Sequence, residues 1–322
     1  MGINKQSLIL LLQADKELQI KGEFLTLGYN TVTIKHEDLI QLAQVYNKNI
    51  SQAWIDSQEN KDSKTKHSLM LGYAPVDQNK LLKKLFPGID KISVMDISNY
   101  EGASLIHDLN SISPPSDYLA YFDYIYDGSV FDNIFNPANG LITVSKLLKP
   151  EGRISGVNVS VYIPGAMTAL SNEFFYSYFM SNCFSGTLVY SACQPANNFR
   201  NFEFSAEWFL YTPSFTTKEG YFAIQANYES MLKYSLIHTH YYAKKNSIAE
   251  NQSNVFECNN IPTNLQYIDQ KCIQWQIPSR NKMLRSDNIK RFPFSGKKPR
   301  IQLFDTDHYQ YIGDDSNLNK NY

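Results

Sequence analysis

The chain has 322 residues, 43% hydrophobic and 19% charged, enough to bury the core of one large domain, or of one domain plus an extension, and to exclude wholesale disorder. A formal net charge of −1 gives no global reason to expect nucleic acid or an anionic membrane as partner. Cys183, Cys193, Cys258 and Cys272 are too widely spaced for a paired metal motif or a disulfide framework, so reduced thiols and a cytoplasmic location are expected.

In chain order, Leu8, Leu11, Leu12 and Leu18 predict an amphipathic helix ending near Gly22. The apolar run Ser7-Leu8-Ile9-Leu10-Leu11-Leu12 is too short for a signal-peptide core or a membrane span, and Gln6 stands where a myristoylation signal needs Ser or Thr. A strand is predicted over 23–27, closed by Gly28, then a helix over 37–46, a polar loop over 47–67 and a helix over 81–86 stopped by Pro87-Gly88. Three short apolar strands follow, ending on Asp96, Asp108 and Asp127-Gly128. A helix over 138–148 leads through Lys149-Pro150-Glu151-Gly152 into a strand over 153–159. Such alternation predicts an α/β fold whose sheet is mostly parallel, with helices on both faces. A helix over 173–180 and consecutive strands at 188–191, 204–211 and 221–226 predict an antiparallel edge. We expect a first domain over 1–235. Residues 236–322 form a polar extension, ordered in part at best and available to a protein partner. The basic stretch from Arg280 to Arg300 is read as a solvated tail, offset by Asp305, Asp307, Asp314 and Asp315.

The strand-end carboxylates carry the functional signal. In open parallel sheets, ligands bind beyond the carboxyl ends of the strands. A carboxylate there accepts from two ribose hydroxyls or from an adenine amino group, since it offers two oxygens and no donor. Any one of the three could equally cap a helix or start a turn; three at regular spacing favour a nucleoside site. His238 and His240, which alternate onto one strand face, could hold a metal, although no obvious third ligand accompanies them.

The segments Ser98-Asn99-Tyr100-Glu101-Gly102-Ala103, Ile106-His107-Asp108-Leu109-Asn110, Phe122-Asp123-Tyr124-Ile125-Tyr126-Asp127-Gly128 and Phe135-Asn136 resemble the motifs S-x-Y-E-G-A, I-H-D-L-N, F-D-x-x-x-D-G-G and E-H-V-F-N of a family of bacterial class I S-adenosylmethionine-dependent methyltransferase-like proteins. Leu147-Leu148-Lys149-Pro150-Glu151-Gly152 is similar to that family's L-L-K-P-G-G, and Ser171-Asn172-Glu173-Phe174-Phe175-Tyr176 to its S-P-E-L-F-Y. The resemblance spans about residues 20–230 and is strongest over 91–152. It implies the Rossmann-like class I methyltransferase fold with S-adenosylmethionine as cofactor. Asp96 with Ile97 would then sit at the ribose, Asp108 with Leu109 at the adenine, Asp127-Gly128 at the edge of the methyl-transfer cleft and Gly28 at the first-strand turn.

The chain also departs from the pattern. Gly28 is followed by Tyr29-Asn30-Thr31-Val32 instead of further glycines. The family's E-H pair is Asp132-Asn133, the candidate catalytic pair here, in which an amide replaces the imidazole. A second histidine, in the family's G-H-G, is absent from Pro164-Gly165-Ala166. Methyl transfer from a sulfonium draws much of its rate from positioning and needs a base only for a protonated acceptor. Two functions follow. One is a methyltransferase for a small-molecule or sugar-like acceptor, with the aromatics of 174–184 and 204–211 walling the acceptor pocket. The other is a non-catalytic binding or assembly protein on the same fold.

Overall fold

The computed structural model describes residues 2–58, 72–111, 113–161, 166–182, 184–195, 205–211, 234–246, 292–296, 298–299, 309–316 and 318. Its contacts divide the chain into two compact units. The first comprises Met1–Lys149, Ile154–Asn158 and Leu318–Tyr322, and the second Pro150–Arg153 and Val159–Asn317.

The first unit is α/β and Rossmann-like. It opens with strand β1 (Gly2–Asn4) and helix α1 (Lys5–Glu17). The Oδ1 of Asn4 accepts from the Ser7 amide at 2.8 Å, and Ser7 Oγ accepts from the Asn4 amide at 2.9 Å, a reciprocal cap that starts the helix. Every residue from Lys5 to Ala14 is buried, so α1 is apolar nearly all round, and that is what the aliphatic run at 8–12 serves. Lys5 keeps its charge inside by pairing with Asp38 at 2.8 Å.

Strands β2 (Lys21–Leu27), β4 (Gly88–Asp96), β5 (Leu105–Ile106) and β6 (Phe122–Gly128) make the parallel sheet. Central β2 pairs in parallel with β4 (Leu25 opposite Ser93) and with β6 (Leu25 opposite Ile125), and β4 pairs in parallel with β5. The order runs β5-β4-β2-β6-β7, with β7 over Leu148–Val159. Parallel pairing needs crossovers, and helices α2 (His36–Val45), α4 (Gln78–Leu85) and α5 (Pro137–Leu147) lie between the strands in sequence. Phe24 and Tyr124 stack across β2 and β6 with ring centres 5.3 Å apart.

Several boundaries differ from expectation. The polar stretch after residue 47 contains a short helix, α3 (Gln52–Asp56), started by Ser51, whose Oγ accepts from the Trp54 amide. Strand β7 begins at Leu148, not at Arg153, and runs through the Lys149-Pro150-Glu151-Gly152 segment expected to precede it; Glu151 adopts φ +65° there. The β-branched residues after Gly28 build a strand, β3 (Thr31–Thr33), paired in parallel with β1. Gly2 is required at that pairing, because a Cβ on it would lie 1.8 Å from the Thr31 carbonyl oxygen. The strand expected at 221–226 and most of the basic stretch lie outside the described residues.

The second unit holds an antiparallel sheet in the order β11-β9-β8-β10, with β8 over Phe184–Pro195, β9 over Glu207–Tyr211, β10 over Tyr234–Lys245 and β11 over Tyr309–Asp314. Its two faces have different covers. Helix α6 (Asn172–Ser181) packs on one face, where the Phe175 ring stacks on Tyr241 at 4.2 Å. There Thr239 donates to the side-chain oxygen of Asn172, and Asn172 donates to Ser191 Oγ at 2.7 Å, so the start of α6 is tied to β10 and β8 at once. Phe175, Tyr176, Phe179, Trp208 and Phe209 are all buried to within 2% of full burial and belong to this unit's core. On the other face, Trp208 meets Phe292 and Phe294 at 5.7 and 5.3 Å. No helix among the described residues is long and apolar enough to cross a membrane.

His238 and His240 belong to this second core. Burial pushes the His238 imidazole down to about 4, and burial first, then the neighbouring His238, holds His240 well below its ordinary value of 6.5. The unfolded chain therefore takes up these protons first. The stability contributed by keeping both rings neutral is complete above pH 6.5 and is lost progressively as pH falls below it; for His238 the loss runs from 6.5 toward 4, at about 1.4 kcal/mol per pH unit. Urea unfolding between pH 7 and 4 should show a falling midpoint, and the double variant His238→Phe, His240→Phe should flatten that acid limb; an equally steep limb in the variant assigns it to other groups.

Candidate functional site

The carboxyl ends of β2, β4 and β6 bring the candidate residues together in the first unit. After Leu27 the chain turns at Gly28, whose φ of +69° suits glycine and whose amide donates to the Met95 carbonyl at 2.7 Å. A side chain starting at Gly28 would find Val130 Cγ2 at 3.5 Å and Asp96 Oδ2 at 3.9 Å. The Gly28 turn and the Asp96 carboxylate therefore lie side by side.

The turn is anchored from below. Buried Asn30 donates its amide to Gln78 Oε1 at 2.7 Å and its side-chain NH2 to the Gly28 carbonyl at 3.2 Å. Gln78, fully buried in the first turn of α4, donates in turn to Thr26 Oγ1 at 3.2 Å. Gly128 lies against this anchor. A Cβ on it would be 2.3 Å from Asn30 Oδ1 and 2.5 Å from the Tyr126 ring, so glycine is demanded by close packing.

Asp96 closes β4, and its Oδ1 accepts from the Ile97 amide at 2.6 Å. Ile97 is 65% exposed, an apolar side chain presented beside that carboxylate. One strand over, the His107 amide donates to the Asp96 carbonyl at 2.8 Å. Asp108 is exposed, and its Oδ1 accepts from both the backbone amide and the side chain of Asn110, each at 2.9 Å. Those bonds, backbone first, hold its carboxyl below the ordinary carboxylate value. Asn110 continues to the Asn136 amide at 2.8 Å and to Asn139 at 2.8 Å, which joins the loop to the start of α5. Leu109 points inward and is buried.

Asp127 and Asp132 are arranged differently, both completely buried. Asp127 Oδ1 accepts from the Val130 amide and Oδ2 from Asn158 Nδ2, each at 2.6 Å. The Oδ1 of Asn158 accepts from the Asp132 amide at 3.0 Å. Ser129 Oγ lies 3.0 Å from both Asp132 oxygens, and Asn133 Nδ2 donates to Asp132 Oδ1 at 2.7 Å and to the Ser129 carbonyl at 3.0 Å. Donors thus surround both carboxylates, as buried charge requires. A general base must reach its substrate's proton, whereas Asp132 is spent on holding the 128–133 turn. Asn133, exposed at the rim, supplies donors where an imidazole would titrate.

The residues that assemble this floor, Asn30, Gln78, Ser129 and Asn158, were not among the sequence candidates. One signal was available: Asn158 is an amide inside the otherwise apolar end of β7, a place polar groups occupy only when they have partners. Replacing Asn158 with Leu removes a donor from Asp127 and an acceptor from the Asp132 amide together. It should lower stability by about 2–4 kcal/mol in urea unfolding at pH 7; a loss below 1 kcal/mol would mean that the network does not anchor the turn.

No protein-family model matches the chain, and no curated protein matches its sequence. Among solved structures, it is similar to the YcgJ protein of Bacillus subtilis (11% identity, TM-score 0.38, covering 74% of this chain and 98% of that one). It is also similar to a putative methyltransferase of Bacillus halodurans (9%, 0.37, 74% and 99%) and to a SAM-dependent methyltransferase of Archaeoglobus fulgidus (11%, 0.38, 75% and 94%). At TM-scores this low, the likeness assigns no role to any residue.

Proposed function

We propose that this chain binds S-adenosylmethionine at the carboxyl ends of β2 and β4 and acts as a methyltransferase on a small-molecule or sugar-like acceptor. The observation that carries this reading is the meeting of the left-handed turn at Gly28 with Asp96, whose Oδ2 lies 3.9 Å from where a Gly28 side chain would begin. The fit is chemical. Asp96 offers an acceptor to ribose hydroxyls, exposed Ile97 offers an apolar surface to the adenine, and Asp108, held ionised by Asn110, accepts from an amino group at its edge. The motif resemblance over 91–152 supports the same assignment. Gly28 and Gly128 enter it as the positions where backbone must come close.

When bound, the cofactor would supply an electrophilic methyl group carried on a sulfonium, beside Asp96 and Gly28. The protein's own share is positioning. Asp127, Asp132 and Asn133 act here by fixing the 128–133 turn at the cleft edge, Asp132 from within. With Asp132 enclosed, the reading favours an acceptor that arrives with a free lone pair or releases its proton to solvent. A cytoplasmic location belongs to this reading.

The test is calorimetry with S-adenosylmethionine and its demethylated product. Losing one charged acceptor costs about 1.5–3 kcal/mol, so Asp96→Ala should weaken either ligand by roughly 10- to 150-fold. No binding by the native chain at high micromolar concentration sinks the proposal, and an unchanged affinity in the variant removes Asp96 from the ribose role.

The burial of Asp132 favours a second reading, a non-catalytic relative that keeps the nucleoside site for binding or assembly, with a protein partner engaged through 236–322. Tight cofactor binding without turnover on a broad acceptor panel would select it. Truncation after residue 245 does not test it cleanly, because β11 pairs with β9 within the second unit.

A further inference from the structure

Tyr100 and Phe135 are the most exposed large apolar side chains among the described residues, at 83% each, and they do not stand alone. Of seven such exposed side chains, four (Ile97, Tyr100, Ile106 and Phe135) follow or close strands at the carboxyl edge of the first unit's sheet. The backbone holds them on neighbouring segments. The Asn99 carbonyl accepts from the Gly102 amide at 2.9 Å, with Gly102 at φ +80°, which puts Tyr100 and Glu101 at the tip of a turn. Ile106 lies opposite Asp96 in the β4–β5 register, and β5 is the last strand on that side of the sheet. The loop carrying Phe135 is tied in through Asn110. Its Oδ1 accepts from the Asn136 amide at 2.8 Å, while its own amide donates to Asp108 at 2.9 Å. Scattered exposed apolar residues are ordinary, whereas a cluster on fixed backbone marks an interaction surface.

The charge of this surface selects the partner. No Lys or Arg occurs between Lys91 and Lys146, a stretch with Asp or Glu at seven positions. Asp127 and Asp132 are buried, and Asp123 pairs with Lys149 at 2.8 Å. Glu101 and Asp108 are exposed beside the apolar cluster, and Asp96 is half-buried within it. Burial outweighs the neighbouring Asp108 and holds the His107 imidazole below its ordinary value, so that ring adds no positive charge at neutral pH. A rim of carboxylates attracts cations and steers them at encounter. Exposed tyrosine and phenylalanine rings add a cation–π face for an ammonium or a guanidinium.

We propose that this edge is a docking surface for a basic, apolar-bearing peptide segment of a partner protein. Its Lys or Arg side chains meet Glu101 and Asp108, and its apolar side chains cover Tyr100, Ile106 and Phe135. Exposed side chains on three separate segments give a surface wider than a single amine would fill. The dock borders the Asp96–Ile97 turn, and it stands whether or not the cofactor binds there.

The experiment titrates the full-length chain into fluorescent peptides of alternating Lys and Leu, Lys and Ser, or Glu and Leu, read by anisotropy at low and physiological salt. The Lys–Leu peptide should bind, and rising salt should weaken it. The double variant Tyr100→Ser, Phe135→Ser and the single variant Glu101→Lys should each weaken it about tenfold or more. Both alter exposed side chains only, so near-UV circular dichroism should stay native. No binding of the Lys–Leu peptide, equal binding of the Lys–Ser peptide, or an unchanged affinity in either folded variant overturns the proposal. Spermine displacing the peptide at equal concentration would assign the surface to small amines and overturn it as well. Should a variant fail to fold, photo-crosslinking of the Lys–Leu peptide to the native chain decides. Labels should fall within 97–110 and at Phe135, and labelling confined elsewhere refutes the dock.

Discussion

Asp127 carries a carboxylate into a completely buried position at the end of β6, and much at the carboxyl edge of the first unit follows from accommodating it. An ionised group taken out of water needs donors at close range. The Val130 amide and Asn158 provide them, each at 2.6 Å. The first bond folds the chain back after Gly128; the second commits the other end of Asn158 to the Asp132 amide, and Asp132 then gathers Ser129 and Asn133. One buried carboxylate thereby organises four polar residues, Asn158, Asp132, Ser129 and Asn133. Members of such a network stabilise one another and tolerate no partial loss.

The consequence for chemistry is a division of labour among four carboxylates. Asp127 and Asp132 face inward and hold shape. Asp96 and Asp108 keep access to the exterior, with their turns stabilised by the Ile97 and Asn110 amides. A fixed floor with accessible acceptors above it suits ligand positioning better than proton transfer. The same economy appears at the first turn, where Gln78 and Asn30 hold in place what a run of glycines would leave loose.

The second unit solves a different problem, a sheet that must be covered on two faces. On one, Thr239, Asn172 and Ser191 form a buried polar chain that sets where α6 begins. On the other, Asp315 bonds the Trp208 indole and the Ala206 amide, each at 2.9 Å, and orients the aromatic group around His240. Alternation along β10 sends Thr239 to the first face and both histidines to the second.

By itself the sequence determined the alternation of strands and helices, because parallel strands buried on both faces must be short apolar runs between amphipathic segments, and it marked Gly28, Asp96, Asp108 and Asp127 as strand ends. The His-x-His spacing was equally legible. Which carboxylate faces a ligand was not, since Asp96 and Asp127 read alike until Asn158, thirty-one positions from Asp127, is known to bond one of them. The strand at Thr31–Thr33 was hidden for a related reason: three residues make a strand only if a partner such as β1 lies alongside. The aromatics of 174–184 and 204–211 could have lined a pocket or filled a core; only the fold shows Phe175, Phe179, Trp208 and Phe209 buried in the second unit's core. Local patterning thus decided the elements, while the tertiary structure alone decided which polar groups were spent on one another, because a buried charge takes its donors from wherever the fold brings them.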